Sequence, residues 1–374
     1  MKKILILGTG NAQADFIHYC KESGLVVHAC SYKKEGRGVD ECDYFHLANI
    51  TDVDAVKEIV IKHDIDIIYS VGSDIAMPTV TKVASLLDKA FFVSPETAEI
   101  CNDKLLFRNR LKSLNNGSYT IPYSIINDEN EMNKWDIFPS IVKPAKSQGQ
   151  RGINKIENLD ELKRAYNISK EISQNNKVII EEYIEGVEIS VNSYILNGKV
   201  MFVFITERNS FLEYPGGIIK SHKHPVALDI DKNEIHNLVF DTCNHLNISN
   251  GPVYFQIKVT PELKYKIIEV TPRLDGCHLW RLVKELGGPD MFKIIVNHLS
   301  NLNKIDETDF NTATYKADFK SELSFFTQEP GSKMNKLLHK VKENNIYSEW
   351  YYENDEIIRT INGYQEKVGY EITY

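Results

Sequence analysis

Two alternating apolar runs, GPVYFQIKV and YKIIEVT, flank a short turn containing Pro261 in the stretch from Gly251 to Arg273. Their period of two predicts a β-hairpin. Gln256 and Glu269 fall near the middle of its strands, where Val or Ile would be ordinary. A carboxylate buried in a strand costs several kcal/mol unless something compensates it. A divalent cation can do so. Oxygen donors on adjacent rigid strands suit Mg²⁺ that is also held by a nucleotide's phosphates. Arg273 follows as a fixed positive fork for carboxylate or phosphate. The hairpin thus reads as a metal clamp beside an anion clamp. Its bland alternative is a surface strand pair whose polar face meets water.

Upstream, IVKPAKSQGQRG places Lys143 at the end of an apolar strand and follows it with a small polar loop, Lys146 to Gly152. Such a loop lets backbone N–H groups approach an anion closely. The Walker pattern is absent, yet a lysine at this distance favours phosphate binding over a mere connection. VIIEEYIEGVEIS sets Glu181, Glu182, Glu185 and Glu188 beside strand residues. A solvated edge explains one or two of them. In a hinge, backbone near Glu182 and Ile184 would pair with an adenine edge, and Glu188 would accept from ribose hydroxyls. Arg208, Lys220, His222, Lys223 and His224 form a basic cluster before Pro225. It is either a solvated loop or a grip for an anionic substrate, with a histidine able to move protons. The pair His222 and His224 lacks a nearby third ligand for zinc.

These side chains need scaffolds. KKILILG, LVVHACSY, DIDIIYSVG and KAFFVS alternate with helical stretches at Ala12–Ser23 and Asp52–His63, which is βαβ grammar and predicts a parallel sheet. GTGNAQ lacks the last glycine of a dinucleotide fingerprint, so it reads as a tight strand-to-helix turn. A helix is expected from Pro95 to about Leu114, and another after an Asn158 cap. Three strands follow, the last two joined by Asn197-Gly198, a strong hairpin signal. A helix over Asp231–Leu246, the hairpin, and helices at Leu279–Leu286 and Asp290–Leu299 complete this region. A second Asn-Gly turn is expected at Asn362-Gly363.

The chain has 374 residues, enough for two or three domains. Its net charge of −8 without a basic block argues against nucleic acid as a partner. No apolar stretch is long enough to span a bilayer. Six cysteines without a CxxC pair read as free thiols of a reducing compartment, so the cytoplasm is the expected location.

In order and spacing these residues resemble the ATP-grasp superfamily, nearest to the branch of biotin carboxylase and the large chain of carbamoyl phosphate synthetase. The resemblance covers roughly residues 1 to 300. It implies an α/β and α+β fold: a Rossmann-like N-terminal parallel sheet over 1–95, then a two-lobed ATP-grasp domain over 96–300. The lid lobe would span about 118–184, and 301–374 would complete the second lobe. It further implies ATP and Mg²⁺, one ion or two, with Mn²⁺ as a substitute. Lys104 and Lys143 would contact the nucleotide. Ser147, Gln148, Gly149 and Gly152 would form the lid over the phosphates. Glu181, Glu182 and Ile184 would form the adenine hinge, and Glu188 would bind ribose. Gln256 and Glu269 would hold metal, and Arg273 would sit near the transferred phosphate and acyl group. Arg208, Lys220 and His222 are the candidates for substrate. Thr271 stands where the family usually has an Asn that also ligates metal.

The chemistry implied is ATP-dependent activation of a carboxylate as an acyl phosphate and its capture by an amine. Carboxylation or phosphate transfer on the same fold, and a non-catalytic ATP-binding module, are the alternatives. The substrates would be small and anionic, and the sequence leaves room for a homodimer.

Overall fold

The computed structural model describes residues 1–374 apart from 147–151, 212–217, 302–303 and 362. Four strands, β1 (Lys3–Leu7), β2 (Val26–Ser31), β3 (Tyr44–Leu47) and β4 (Ile67–Tyr69), form a parallel sheet in the order β3-β2-β1-β4. Helices Asn11–Glu22 and Val53–His63 make two of the crossovers. Asp52 caps the second of these, accepting from the N–H groups of Asp54 and Ala55. The sheet holds Tyr44–Leu47, which the sequence reading left out, and not KAFFVS. Within the latter run Phe92 and Val93 form a buried plug: Phe92 packs edge-on against Tyr69 at 5.8 Å and Tyr194 at 6.3 Å.

The helix expected from Pro95 to Leu114 is two helices, Pro95–Asn102 and Lys104–Leu111. Asp103 leaves helical geometry between them and caps the second, accepting from Leu105 and Leu106. Beyond lie β5 (Tyr123–Ile126), β6 (Ser140–Pro144), β7 (Asn154–Ile156) and β8 (Val178–Glu182). They pair antiparallel in the order β5-β8-β6-β7. Helix Leu159–Ile172, capped by Asn158, covers them and buries Leu162, Ala165 and Tyr166. This small sheet has its own core around Val142, Ile156, Val178 and Ile180.

The largest sheet is antiparallel. It contains β9 (Val187–Leu196), β10 (Lys199–Phe211), β11 (Ile218–His224), β12 (Gly251–Val259), β13 (Tyr265–Thr271), β14 (Ser321–Gln328), β15 (Asn345–Trp350) and β16 (Glu366–Thr373). Their order is β13-β12-β9-β10-β11-β14-β16-β15. Asn197 and Gly198, at φ +50° and +76°, make the turn from β9 to β10. Ile189, Val191, Phe255, Ile257 and Ile267 are fully buried in a core shared with helix Lys232–His245 and with the parallel sheet. Alternate positions on the same strands are polar, and they build the site.

Candidate active site

Cross-strand register gathers the polar positions into a row. Glu269 on β13 pairs with Gln256 on β12, Gln256 with Ser190 on β9, and Ser190 with Thr206 on β10. Two residues along β10, Arg208 pairs with His222 on β11. Because side chains alternate across a pleat, these groups share one face. The Gln256 amide N–H donates to Glu188 Oε1 at 2.6 Å. Its Oε1, the one atom of the amide that can ligate a cation, is thereby turned to other partners. Arg208 Nη1 also donates to Glu188 Oε1, and Lys258 lies 3.7 Å from Oε2. Glu188, assigned to ribose, therefore ties together Gln256, assigned to metal, and Arg208, assigned to substrate.

Burial pushes the Glu269 carboxyl up, and Asp74 adds to this, while Lys104, Arg273 and Lys143 work against them. A dication would relieve this mix of burial and like charge. Thr271 Oγ1, buried next along the same face, has no hydrogen-bond partner among the described residues. Gln256, Glu269 and this hydroxyl are all hard oxygen donors, so the donor set fits Mg²⁺. Arg273 Nε donates to Asp74 Oδ1 at 2.8 Å, and Nη1 to the Leu274 carbonyl at 2.8 Å.

A buried ion triad faces this row. Glu181 accepts from Arg108 Nε at 2.7 Å and from Lys143 Nζ at 2.6 Å. Burial raises the Glu181 pKa, but the two cations outweigh it and hold the carboxyl at about 2. Burial lowers Lys143 to about 8, with Glu181 opposing and Arg108 and Lys104 assisting the drop. Arg108 also donates to the carbonyls of Ile267 and Ile268 at 2.8 and 2.9 Å, locking its helix to β13. The Glu181 side chain is thus part of a buried ion network. Nor is the Glu182 N–H open to a base, since it donates to the Pro122 carbonyl at 3.0 Å.

Lys104 opens the helix capped by Asp103, and its N–H donates to the Ala145 carbonyl at 3.1 Å. Ser147, Gln148 and Gly149 lie outside the described residues, as does Asn362. Gly152 closes that loop at φ +74°, where a Cβ would press on Pro144 and Ile172 at 3.0 Å.

The basic cluster divides. Arg208 and His222 are buried, whereas Lys220 is exposed and does not join them. A register shift places Ser221 opposite Asn209 and Ile219 opposite Ser210, so Lys220 bulges out between them. His222 Nδ1 lies 3.0 Å from the Thr206 hydroxyl. Burial, then Arg208 and Lys367, hold its pKa well below the usual range, so the ring is neutral.

Three residues were missed from the sequence: Arg108, Asp74 and Lys367. Lys367 comes from β16 and lies 3.9 Å from Cys277 Sγ and 3.6 Å from the Phe325 ring centre. Burial lowers its pKa, which Cys277 partly offsets. Arg208 Nε, His222 Nε2 and Asp275 Oδ2 are buried without a hydrogen-bond partner among the described residues. Buried polar atoms are normally paired. Three such atoms around Cys277 and Lys367 are what a polar ligand would satisfy.

The carboxyl ends of the parallel strands abut this region, the usual binding edge of such sheets. Gly72, just past β4, packs so tightly on Gly276 that a Cβ would lie 2.9 Å from its Cα. A cavity of about 440 Å³ opens beside it, lined by Asp15, Arg37, Trp280, Arg281, Tyr347 and Glu349 among others. His278 links the two areas, with Nδ1 2.7 Å from Asp15 and Nε2 2.7 Å from the Tyr351 hydroxyl.

Residues 137–279 match a family model described as an ATP-grasp domain. Over 209 residues the chain is 26% identical to a formate-dependent phosphoribosylglycinamide formyltransferase of Prochlorococcus marinus strain NATL1A, covering 54% of this chain and 53% of that protein. The chain thus spans about half the length of that curated relative. An L-amino acid ligase from Bacillus licheniformis superposes with a TM-score of 0.78 at 16% identity, over 100% of this chain and 93% of that one. The biotin carboxylase domain of a Hydrogenobacter thermophilus 2-oxoglutarate carboxylase, solved with MgADP, ADP and bicarbonate, gives 0.77 at 16% identity, over 100% and 86%. At such identities the likeness is one of fold. Lys143, Glu181, Glu188, Gln256, Glu269 and Arg273 all fall inside the segment that matches the ATP-grasp domain model.

Proposed function

We propose that this protein is an ATP-dependent carboxylate–amine ligase. The observation that carries the reading is the polar row from Glu269 through Gln256 to Arg208, facing the Lys143 triad and ending at Arg273. Residues 1–95, 96–300 with a lid lobe at about 118–184, and 301–374 are its working divisions. The separate core of the small antiparallel sheet supports the lid assignment.

Gln256 and Glu269 would hold Mg²⁺, with Thr271 Oγ1 as a weaker donor toward a second ion. The metal supplies charge neutralisation on the phosphates. Lys143 and Lys104 bind phosphate oxygens, and Lys143 does so by exchanging its contact with Glu181. Ile184 and the Glu182 carbonyl are the backbone groups assigned to adenine. Glu188 orients Gln256 and Arg208 and offers Oε2 to ribose. Gly152 anchors the loop whose members Ser147, Gln148 and Gly149 are assigned to cover the phosphates and exclude water.

Arg208 and Lys367 would hold the acid in place. Its carboxylate oxygen attacks the γ-phosphorus, the bond to the β–γ bridging oxygen breaks, and ADP leaves. Arg273, released from Asp74, offsets charge on the transferring phosphoryl group. An amine then attacks the acyl carbon and displaces phosphate. The cavity beside Asp15 and Arg37 is the favoured seat for the amine substrate, since it opens at the carboxyl edge of the parallel sheet. Neutral His222, on the strand next to Arg208, is able to take the amine's proton.

ADP release measured over a panel of carboxylates and amines tests the reading, with hydroxylamine added to trap acyl phosphate as hydroxamate. Release that needs an organic acid and yields hydroxamate is expected. Release that needs bicarbonate instead would establish the carboxylase alternative. Tight ATP binding without release across the panel would leave only a binding module.

A further inference from the structure

Three histidines meet on the N-terminal parallel sheet, apart from the residues of the site above. His28 lies on β2 and is buried, while His46 on β3 and His63 at the end of helix Val53–His63 are half-buried. Parallel register sets His28 against Tyr44 and Cys30 against His46, so His28 and His46 share one face of the sheet. The helix carries His63 over that face, and Lys3 Nζ donates to the His63 carbonyl at 2.8 Å. Lys3 is the first residue of β1, and His28 lies opposite Leu5 at mid-strand.

His28 Nδ1 is 2.8 Å from His46 Nε2. The ring centres are 5.2 Å apart for His28 and His46, 4.6 Å for His46 and His63, and 5.3 Å for His28 and His63. One nitrogen from each ring lies within 4.8 Å of the other two. Ligands about 2.05 Å from a tetrahedral ion stand about 3.3 Å apart. The three rings therefore need only small shifts to share one ion. Burial first, then His46, His63 and Lys3, hold His28 at about 4 against the opposing pull of Asp43. Burial, His63 and Lys62 lower His46 as well. Neutral imidazoles are the form that binds metal. His63 also lies at the last turn of an eleven-residue helix, whose carbonyl end favours a cation.

We propose that His28, His46 and His63 form a transition-metal site of the Zn²⁺ class. Three nitrogen donors suit that class and not Mg²⁺, which takes oxygen. The half-exposed rings of His46 and His63 leave a fourth position for water. The ion would tie the edge strand β3 to β2 and to the helix above, so binding stabilises the folded chain.

The test is titration of metal-stripped, nucleotide-free protein with Zn²⁺ by calorimetry, in the wild type and in His46→Ala, His63→Ala and Glu269→Ala. One equivalent is expected in the wild type and in Glu269→Ala, with at least tenfold weaker binding in each histidine variant. Histidine ¹⁵N resonances of the wild type, followed during the titration, guard against misfolded variants. Three rings should shift together. No Zn²⁺ uptake by the wild type, equal affinity in the histidine variants, or unmoved resonances of these rings would overturn the proposal.

Discussion

At the scale of single residues, the site rests on two carboxylates with opposite environments. Glu181 is held ionised by Arg108 and Lys143, whereas burial and Asp74 push Glu269 up. Glu269→Ala should abolish ADP release without unfolding the chain, checked by circular dichroism. Lys143→Ala should slow release by about 100-fold. Lys143 also sets a pH limit. Because burial lowers it to about 8, kcat/KM should fall as pH rises through about 8, and Lys143→Arg should move that limb upward. The same depression has the opposite sign for stability. Between about 8 and 10.4 the unfolded lysine holds more protons than the folded one, so stability contributed here rises with pH. The alkaline loss is therefore one of rate, separable by urea unfolding at the same pH. Gln256, Glu269, Arg273 and Lys143 could be picked out in the sequence because each interrupts or ends an apolar strand. Arg108, Asp74 and Lys367 could not, since their partners are distant in the chain and no local spacing marks them.

At the scale of elements, the ion triad joins β6, β8 and the helix Lys104–Leu111. Glu181→Gln leaves two buried cations without their counter-charge and should cost about 3–5 kcal/mol in denaturant unfolding. Since the Glu181 pKa is depressed, its contribution is complete above the unfolded carboxyl range near 4.3 and drains away as pH falls toward about 2. The β8–β9 connection turns on Gly186, at φ +137°, where a Cβ would lie 2.0 Å from the Val259 carbonyl oxygen. Gly186→Ala should lower stability by more than about 1 kcal/mol, read as a fall in Tm. Patterning revealed the β12–β13 hairpin, the Asn197-Gly198 turn and the cap at Asn158, because each is a local device. It misled at KAFFVS, where burial came from a plug between sheets, and at β11, whose bulge disguised a strand as a basic loop. The break at Asp103 was hidden because helix periodicity continues on both sides of a single capping residue.

At the scale of the molecule, three sheets converge on one seam. The parallel sheet contributes Asp74 and the Gly72 contact, the small sheet contributes Lys143, and the large sheet supplies the polar floor. The C-terminal strands add Lys367, which under the proposed function would give residues 301–374 a chemical task as well as a structural one. Lys367→Ala should raise KM for the acid about tenfold while changing KM for ATP less than about twofold, the loss expected for one charged hydrogen bond. Steady-state kinetics with each substrate varied in turn decides this. Oxygen-isotope labelling of the acid probes the proposed chemistry most directly. When the carboxylate of an acid accepted in the ADP-release panel carries oxygen-18, the phosphate released should gain one labelled oxygen for each amide formed. Amide and ADP formed with unlabelled phosphate would contradict carboxylate attack on the nucleotide.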